Sequence, residues 1–168
     1  MKASLVARFA FALFAVASLV PWSAYGALPG TAAQVDALLA EPEAPPGVVF
    51  EVSTTDSEAL GWALPQINRE AARLRARFPK LPMAVVTHGR EQFALQREHR
   101  TGNESVHRQV ESLVADQDIP VHVCETFAGW RGVSAEQFPD YVDVAPEGPA
   151  QIHNYEELGY IRVRVRRE

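Results

Sequence analysis

The segment IPVHVCET, residues 119–126, is typical of a short buried strand, and the strand ends at the single cysteine of the chain, Cys124. A loop or a helix start follows at once, through residues 125–129. Ligands of open α/β sheets bind at the carboxyl ends of the strands. A thiol placed there, beside a helix N-terminus, is in a setting that favours the thiolate. Cys124 is therefore either a reactive thiol at a functional edge or a structural cysteine packed as a small apolar side chain.

Strand and helix patterns alternate on both sides of this segment. Apolar, β-branched runs predict four further strands, at residues 48–53, 83–89 (the strand and its exit), 141–144 and 160–166. Apolar residues spaced three and four apart predict helices between them, at residues 60–78, 103–114 and 148–159. The alternating order predicts a three-layer α/β/α fold, with a mainly parallel five-stranded sheet and right-handed crossovers.

Two positions in these helices carry specific expectations. Pro65 lies inside the first helical pattern, so the first turn of that helix is expected to be kinked or separate. In the last helix, the apolar spacing predicts that Ile152, Tyr155 and Leu158 face the core.

The final strand alternates strictly between apolar residues and arginines. Ile161, Val163 and Val165 fall on one face, and the arginines between them fall on the other. Such a pattern predicts a half-exposed strand rather than a fully buried one. The arginine face protects an edge strand against aggregation, or it forms a subunit contact or an anion site.

The first 26 residues have the pattern of a secretory signal peptide. Lys2 and Arg8 precede and border an apolar run at residues 9–20, and small residues before Gly26 predict cleavage after it. The alternative is an uncleaved anchor, but the run is short for a membrane span, so we expect no stable membrane insertion after cleavage. Residues 27–47 are predicted to form an N-terminal arm and linker, and residues 48–168 the α/β domain. The expected location is periplasmic or secreted.

Charge and cysteine content limit the partners. Loss of Lys2 and Arg8 with the signal peptide lowers the formal net charge from −5 by two, to −7. We expect no nucleic-acid partner, because binding a polyanion needs a basic surface. A single cysteine in an exported protein forms no internal disulfide, so Cys124 is free, modified, buried or bonded to another chain.

The candidate site residues follow from the shared edge of a parallel sheet. His88 and Cys124 close two predicted strands, and a Cys–His pair within hydrogen-bond reach would hold the thiol as thiolate. These two are the candidate catalytic residues. Thr87, His122 and Thr126 are the candidate binding residues at the same strand ends. His122 shares a strand face with Cys124, although a histidine in such a strand is more often a hydrogen-bonded core residue.

Other chemistries receive little support from the sequence. His88, His122 and Cys124 could supply three ligands to copper or zinc, but no C-x-x-C or H-x-x-x-H spacing is present, so we predict no metal site. No glycine-rich phosphate loop follows the first strand, and no G-x-S-x-G motif occurs. No cofactor is predicted.

Four short motifs together resemble the DsrE/DsrF-like family, which includes the YchN-type proteins. They are VTHG at residues 86–89, VHVC at 121–124, VAPEGPA at 144–150 and YEELGY at 155–160. The resemblance extends over about residues 48–165. It implies a three-layer α/β/α domain with a parallel sheet, which agrees with the pattern above. It also implies a homo-oligomer, often a trimer or hexamer.

The resemblance implies a role for Cys124. In the sulfur-oxidation members, the cysteine at the matching position carries sulfur as a persulfide. We therefore expect an exported DsrE-like sulfur carrier or sulfurtransferase, whose partner is a sulfur donor or acceptor protein or a small thiol; whether it is an enzyme stays open. The alternatives are a non-enzymatic protein that binds a small ligand or metal through Cys124 and His88, and an oligomeric assembly module.

Overall fold

The computed structural model of the protein describes residues 28–167, and the predicted signal peptide lies outside the described residues. Five strands form a single sheet: β1 (Gly47–Val52), β2 (Met83–Thr87), β3 (Val121–Cys124), β4 (Asp143–Ala145) and β5 (Tyr160–Arg164). Their order across the sheet is β4-β3-β2-β1-β5, and all neighbouring pairs are parallel. The predicted five-stranded parallel sheet is therefore confirmed.

Helices cover both faces of this sheet, which gives the predicted three-layer α/β/α fold. The α-helices are α1 (Thr31–Leu39), α2 (Leu60–Arg77), α3 (Glu104–Ala115), α4 (Glu125–Gly129) and α5 (Gly148–Glu157). Three short 3-10 helices complete the described secondary structure, at Arg90–Leu95, Arg97–Gly102 and Ala135–Gln137.

The main core lies between the sheet and the helices α2 and α3. Val48, Phe50 and Val52 of β1 point into it, because alternate residues of a strand face the same side. The apolar stripe of α2, which includes Leu64, is fully buried there. α2 runs without interruption through Pro65, so the predicted separate turn is instead formed ahead of Leu60, at residues 57–59.

Among the described residues, α5 is the one helix that covers the opposite face of the sheet. A small second core lies beneath this helix, formed by Val49, Ala84, Val86 and Ile152. The expectation that Leu158 faces the core is wrong, since its side chain is 68% exposed. The helix ends at Glu157, and Leu158 caps it just before Gly159, where a φ of +85° turns the chain into β5.

The edge strand β5 is covered on its outer side by α1. The backbone N–H of Arg164 donates to Gln34 Oε1 at 2.9 Å, and Gln34 Nε2 donates to the Arg164 carbonyl at 2.8 Å. The N–H of Arg166 donates to Thr31 Oγ1 at 2.8 Å. These side chains occupy the hydrogen-bonding groups of an exposed edge, which protects it from pairing with another chain. α1, within the predicted N-terminal arm, is anchored on the domain by the buried Val35.

The bounds of the strands differ from the predicted ones by one or two residues. The run at 141–144 becomes strand only from Asp143, because the N–H of Val142 donates to the Pro139 carbonyl in a turn at 3.0 Å. The second strand ends at Thr87, and residues 88–89 form its exit, where the Gly89 N–H donates to a buried carboxylate. Within residues 28–167, no helix has both the length and the apolar character needed to cross a membrane.

Candidate functional site

A cleft of about 260 Å³ opens at the carboxyl edge of the sheet, where β2 and β3 end. It is lined by His88, Cys124, Thr126, Phe127, Trp130, Glu147 and Pro149. Three of the five predicted site residues, Cys124, His88 and Thr126, are thus brought together. Thr87 and His122 are not among its lining residues.

Cys124 is the last residue of β3 and the residue that precedes α4. Its side chain lines the cleft, although the residue as a whole is only 4% exposed. The backbone N–H of Phe127 donates to Cys124 Sγ at 3.4 Å. A donor aimed at the sulfur stabilises negative charge on it. Cys124 is also a free thiol, being the single cysteine of the chain.

The backbone of Cys124 is held by a side chain that the sequence did not single out. Gln92 Oε1 accepts from the Cys124 N–H at 2.8 Å, and Gln92 Nε2 donates to the Cys124 carbonyl at 3.2 Å. β2 has already ended at this level, so the Gln92 amide takes the place of a strand partner. Gln92 is fully buried in the 3-10 helix Arg90–Leu95. A buried backbone N–H or C=O without a partner is costly, and Gln92 supplies the partner of both groups of Cys124. Gln92 is therefore a positioning residue for Cys124.

His88 is held by a carboxylate on the neighbouring strand. The ring atom His88 Nε2 lies 3.0 Å from Glu51 Oε1, which leaves Nδ1 as the ring nitrogen without this contact. The hydrogen bond from His88 lowers the pKa of Glu51, the charges of Arg162 and Arg164 lower it further, and burial opposes them. Glu51 therefore presents an ionised carboxylate to His88 at neutral pH.

A polar row runs across four adjacent strands on the α5 side of the sheet. It consists of Arg164, Glu51, His88 and Cys124. Arg164 Nε lies 3.1 Å from Glu51 Oε2, and Glu51 in turn contacts His88. Thr87 pairs with Val123 in the β2–β3 register, so the next residues, His88 and Cys124, are neighbours at the strand exits. Within residues 28–167, no hydrogen bond joins the His88 ring to Cys124 Sγ.

Gly148, the first residue of α5, allows this helix to approach the polar row. A Cβ atom at this position would lie 2.4 Å from His88 Cβ and 3.3 Å from Cys124 Cβ. No larger residue fits here without movement of the backbone or of His88. The glycine therefore explains how α5, His88 and Cys124 meet at one point.

Thr87 has a structural role. Its hydroxyl donates to Glu91 Oε1 at 2.5 Å, and both residues are fully buried. The Gly89 N–H donates to the same oxygen at 2.8 Å, and the Thr54 N–H donates to Glu91 Oε2 at 3.0 Å. A buried carboxylate with three donors is well satisfied. Glu91 thus holds the exit of β2, and with it the backbone of His88.

His122 lies on the same strand face as Cys124 but contacts α5 instead of the cleft. Its Nε2 atom lies 2.8 Å from the Tyr155 hydroxyl, and Nδ1 lies 3.8 Å from Asp143 Oδ2. Burial lowers the pKa of His122, while the charge of Asp143 opposes this shift. Only 8% of His122 is exposed, so it is a hydrogen-bonded core histidine, in line with the more common of its two interpretations.

Thr126 connects α4 to the loop that precedes α5. Its hydroxyl and its backbone N–H both donate to the Pro146 carbonyl, at 2.8 and 3.1 Å. The hydroxyl is thereby engaged within the protein. Thr126 lines the cleft and also fixes the opposite wall, which carries Glu147 and Pro149.

Aromatic side chains form the outer wall of the cleft. The centroid of the Phe127 ring lies 5.7 Å from the centroid of the Phe93 ring and 6.1 Å from that of the Trp130 ring. Trp130 is 75% exposed, an unusual position for a large apolar side chain. The cleft thus joins a thiol and an imidazole at its base to an apolar rim. In the described part of the chain, no group of three or more His, Cys, Asp or Glu side chains is arranged to hold a metal ion.

Comparison with known proteins places the fold but no activity. No protein-family profile matches the chain, and no curated protein matches it significantly. Among solved structures, it is similar to MTH1491 from Methanobacterium thermoautotrophicum, a protein of unknown function, with a TM-score of 0.53 at 19% identity over 70% of this chain and 96% of that one. It is also similar to the ychN protein from E. coli, with a TM-score of 0.51 at 22% identity over 71% and 97% of the two chains. The chain therefore has the YchN-type fold that the resemblance implied.

Proposed function

We propose that the protein carries sulfane sulfur as a persulfide on Cys124. The observation that supports this most directly is the placement of a free thiol in a cleft at the carboxyl edge of the sheet, with an N–H directed at its sulfur and His88 at the neighbouring strand exit. The carboxyl edge is the usual place of chemistry in this class of fold. The YchN-type fold is consistent with the proposal.

The loading step exchanges one sulfur–sulfur bond for another. The Cys124 thiolate attacks the outer sulfur of a donor persulfide, R–S–SH. A bond forms between that sulfur and Sγ, the S–S bond of the donor breaks, and the donor leaves as R–S⁻. The proton lost from Cys124 passes to His88 and then to R–S⁻. No external oxidant is needed, because one S–S bond replaces another and the transferred sulfur keeps its oxidation state. Unloading is the same exchange with an acceptor thiol as the attacking group.

His88 and Glu51 support this exchange. The contact of Nε2 with Glu51 at 3.0 Å orients the ring and stabilises the imidazolium that forms when His88 takes the thiol proton. The Nδ1 atom is then the nitrogen that serves Cys124, directly or through one water molecule. Glu51 is a positioning residue in this scheme, since it acts through His88.

Export and self-association belong to the same proposal. Cleavage after Gly26 would place the mature protein in the periplasm or outside the cell, which rests on the pattern of residues 1–26. The intact mass of the protein from an extracytoplasmic fraction tests this: a chain that begins at Ala27 is expected, and a chain that begins at Met1 would contradict cleavage.

A homo-oligomer, a trimer or hexamer, is proposed from the resemblance. Sedimentation of a monomer at micromolar concentration would contradict it.

A second candidate function is the non-covalent binding of a small apolar ligand. The near-complete burial of Cys124 and the aromatic rim at Phe127 and Trp130 favour it. In that case Cys124 would be part of the cleft wall and would not react.

Intact mass spectrometry separates the two functions. The folded protein is exposed to polysulfide beside the Cys124→Ser variant, which has no cysteine. Sulfur carriage predicts a gain of one sulfur atom that a reductant reverses and that the variant lacks. An adduct that forms only after unfolding in urea would contradict sulfur carriage and favour the binding function.

A further inference from the structure

A cavity of about 600 Å³ lies at the amino edge of the sheet, where the strands begin, opposite to the cysteine cleft. Its lining includes Met83 and Tyr160, the first residues of β2 and β5, and Pro120, which directly precedes β3. The volume is within the range of small-molecule sites in proteins and is larger than that of the cysteine cleft.

The cavity is lined by Arg75, a half-buried arginine of α2 that makes no hydrogen bond or ion pair with any residue in the range 28–167. Its Nε atom is fully buried, whereas its two terminal nitrogens are accessible and can reach a ligand. The next arginines along the helix differ: Arg73 forms ion pairs with acidic side chains, and Arg77 donates to backbone carbonyls. A guanidinium that has lost part of its hydration without gaining a partner favours an anionic ligand.

Two further groups at the cavity can donate to an anion. The exposed Lys80 has no ion-pair partner in the described part of the chain, and the Tyr160 hydroxyl makes no hydrogen bond there. Asp118 is the one carboxylate among the lining residues, so the cavity carries two cations against one anion in a chain of formal net charge −5. This balance suits a singly charged carboxylate better than a doubly charged phosphate.

The backbone of the cavity wall is strained at two positions. Lys80 has a φ of +63° and Asp118 a φ of +51°, and among the described residues they are the two non-glycine residues with a positive φ. Both line this cavity. Lysine rarely adopts the left-handed conformation, in which glycine is at ease. Strained residues of this kind cluster at ligand sites.

The remaining lining is aromatic and apolar. The ring centroids of Tyr155 and Tyr160 lie 5.0 Å apart, with an angle of 42° between the ring planes. Met83 and Pro120 add apolar surface beside them. Aromatic side chains bind another ring well in offset or tilted arrangements. The ligand that matches this lining therefore has a flat apolar part as well as a negative charge.

We propose that the cavity at the amino edge binds an aromatic monocarboxylate. The carboxylate accepts from the terminal nitrogens of Arg75 and from the Lys80 ammonium, and the ring packs against Tyr155 and Tyr160. The site lies at the opposite edge of the sheet from Cys124, so either proposal can fail without the other. The Tyr155 hydroxyl lies 2.8 Å from His122 Nε2, so the His122 ring reports on occupancy of the cavity.

The test is a nuclear magnetic resonance titration of the purified protein with three probes. 2-Naphthoate carries both the ring and the charge, 2-naphthamide the ring alone, and acetate the charge alone. We expect a saturable shift with 2-naphthoate at the backbone of Lys80 and Asp118 and at the His122 ring, and binding of the other two probes that is weaker by about tenfold or more. Equal binding of all three probes, or no saturable shift with 2-naphthoate, would overturn the proposal.

Arg75→Gln locates the carboxylate. Loss of the charged donor should weaken 2-naphthoate binding by about tenfold or more. Arg77→Gln is the matched control, because Arg77 lies on the same helix but does not line the cavity, and the affinity should stay unchanged.

Lys80→Gly separates ligand binding from stability. Glycine adopts a φ of +63° freely, so this variant should be at least as stable as the wild type in urea denaturation. Loss of the ammonium should nevertheless weaken 2-naphthoate binding, by about threefold for an exposed charge. Unchanged affinity in either folded variant, Arg75→Gln or Lys80→Gly, would contradict the site.

Discussion

The two faces of the sheet are built from the same strands but carry different side chains. Toward α2 and α3, β1 presents Val48, Phe50 and Val52, which are part of the main core. Toward α5, the same strand presents Glu51, and the neighbouring strands end in His88 and Cys124. Strand alternation separates the two sets completely. Substitutions on one face should therefore change stability alone, and substitutions on the other should change thiol chemistry.

The largest loss of stability is expected from Leu64→Ala on the α2 face. Leu64 is fully buried in the main core, so its truncation should lower the free energy of unfolding by about 2–5 kcal/mol. Urea denaturation measures this. The same change at the exposed Leu158 is the matched control and should cost no more than about 0.5 kcal/mol. The polysulfide reaction of Cys124 in folded Leu64→Ala should keep the wild-type rate; a large drop would break the separation of the faces.

Gly148→Ala should disturb both stability and chemistry. The new Cβ would lie 2.4 Å from His88 Cβ, so α5 or His88 must move, at a cost of about 1–3 kcal/mol. The rate of the Cys124 reaction should change along with it. Gly129→Ala, beside the cleft in α4, meets no atom within 4 Å and serves as the control. Equal stability of the two variants would show that the close approach of α5 is unimportant.

Gln92→Leu removes the partner of both backbone groups of Cys124. We expect a loss of about 1–3 kcal/mol in unfolding free energy and a slower Cys124 reaction, since the thiol loses its fixed position. Gln96→Leu is the control, because Gln96 is also buried but its amide makes only a 3.5 Å contact with Glu98. If both variants reacted at the wild-type rate, Gln92 would have no positioning role.

Glu51→Gln should change chemistry more than stability at neutral pH. The pKa of Glu51 is lowered in the folded protein, so its charge adds stability above the ordinary pKa of 4.5, and this contribution is lost as the pH falls through the lowered folded value. The stability difference between wild type and variant should therefore shrink on acidification below about pH 4.5. A difference that stays constant from pH 7 to pH 3 would contradict the ionised Glu51. The Cys124 reaction should slow in the variant at pH 7, and its pH profile should shift.

The fold and part of the site could be predicted from the sequence, for a physical reason. Strand and helix periods are local patterns, and a parallel sheet brings strand exits to one edge, so the sequence predicts that His88 and Cys124 lie at the same edge but not that their strands are adjacent. Gln92 and Glu91 gave no such signal, because two polar residues that follow Arg90 have the pattern of a solvated loop, and their buried partners are apparent only in three dimensions. Thr87 was assigned to binding, yet its hydroxyl donates to the buried Glu91. The strand order, which brings Glu51 beside His88, depends on tertiary packing and is not a local property.

The most direct test of sulfur carriage is the rate at which Cys124 reacts with polysulfide in the folded protein, compared with the rate in the urea-unfolded chain. The reaction is quenched at set times and the samples are measured by intact mass spectrometry. The folded His88→Gln variant is measured in parallel. If the cleft activates the thiol, the folded wild type reacts faster than the unfolded chain, and His88→Gln loses most of this advantage. If the folded wild-type protein reacts more slowly than the unfolded chain, the proposed role of Cys124 is contradicted, whatever the rate of the His88→Gln variant.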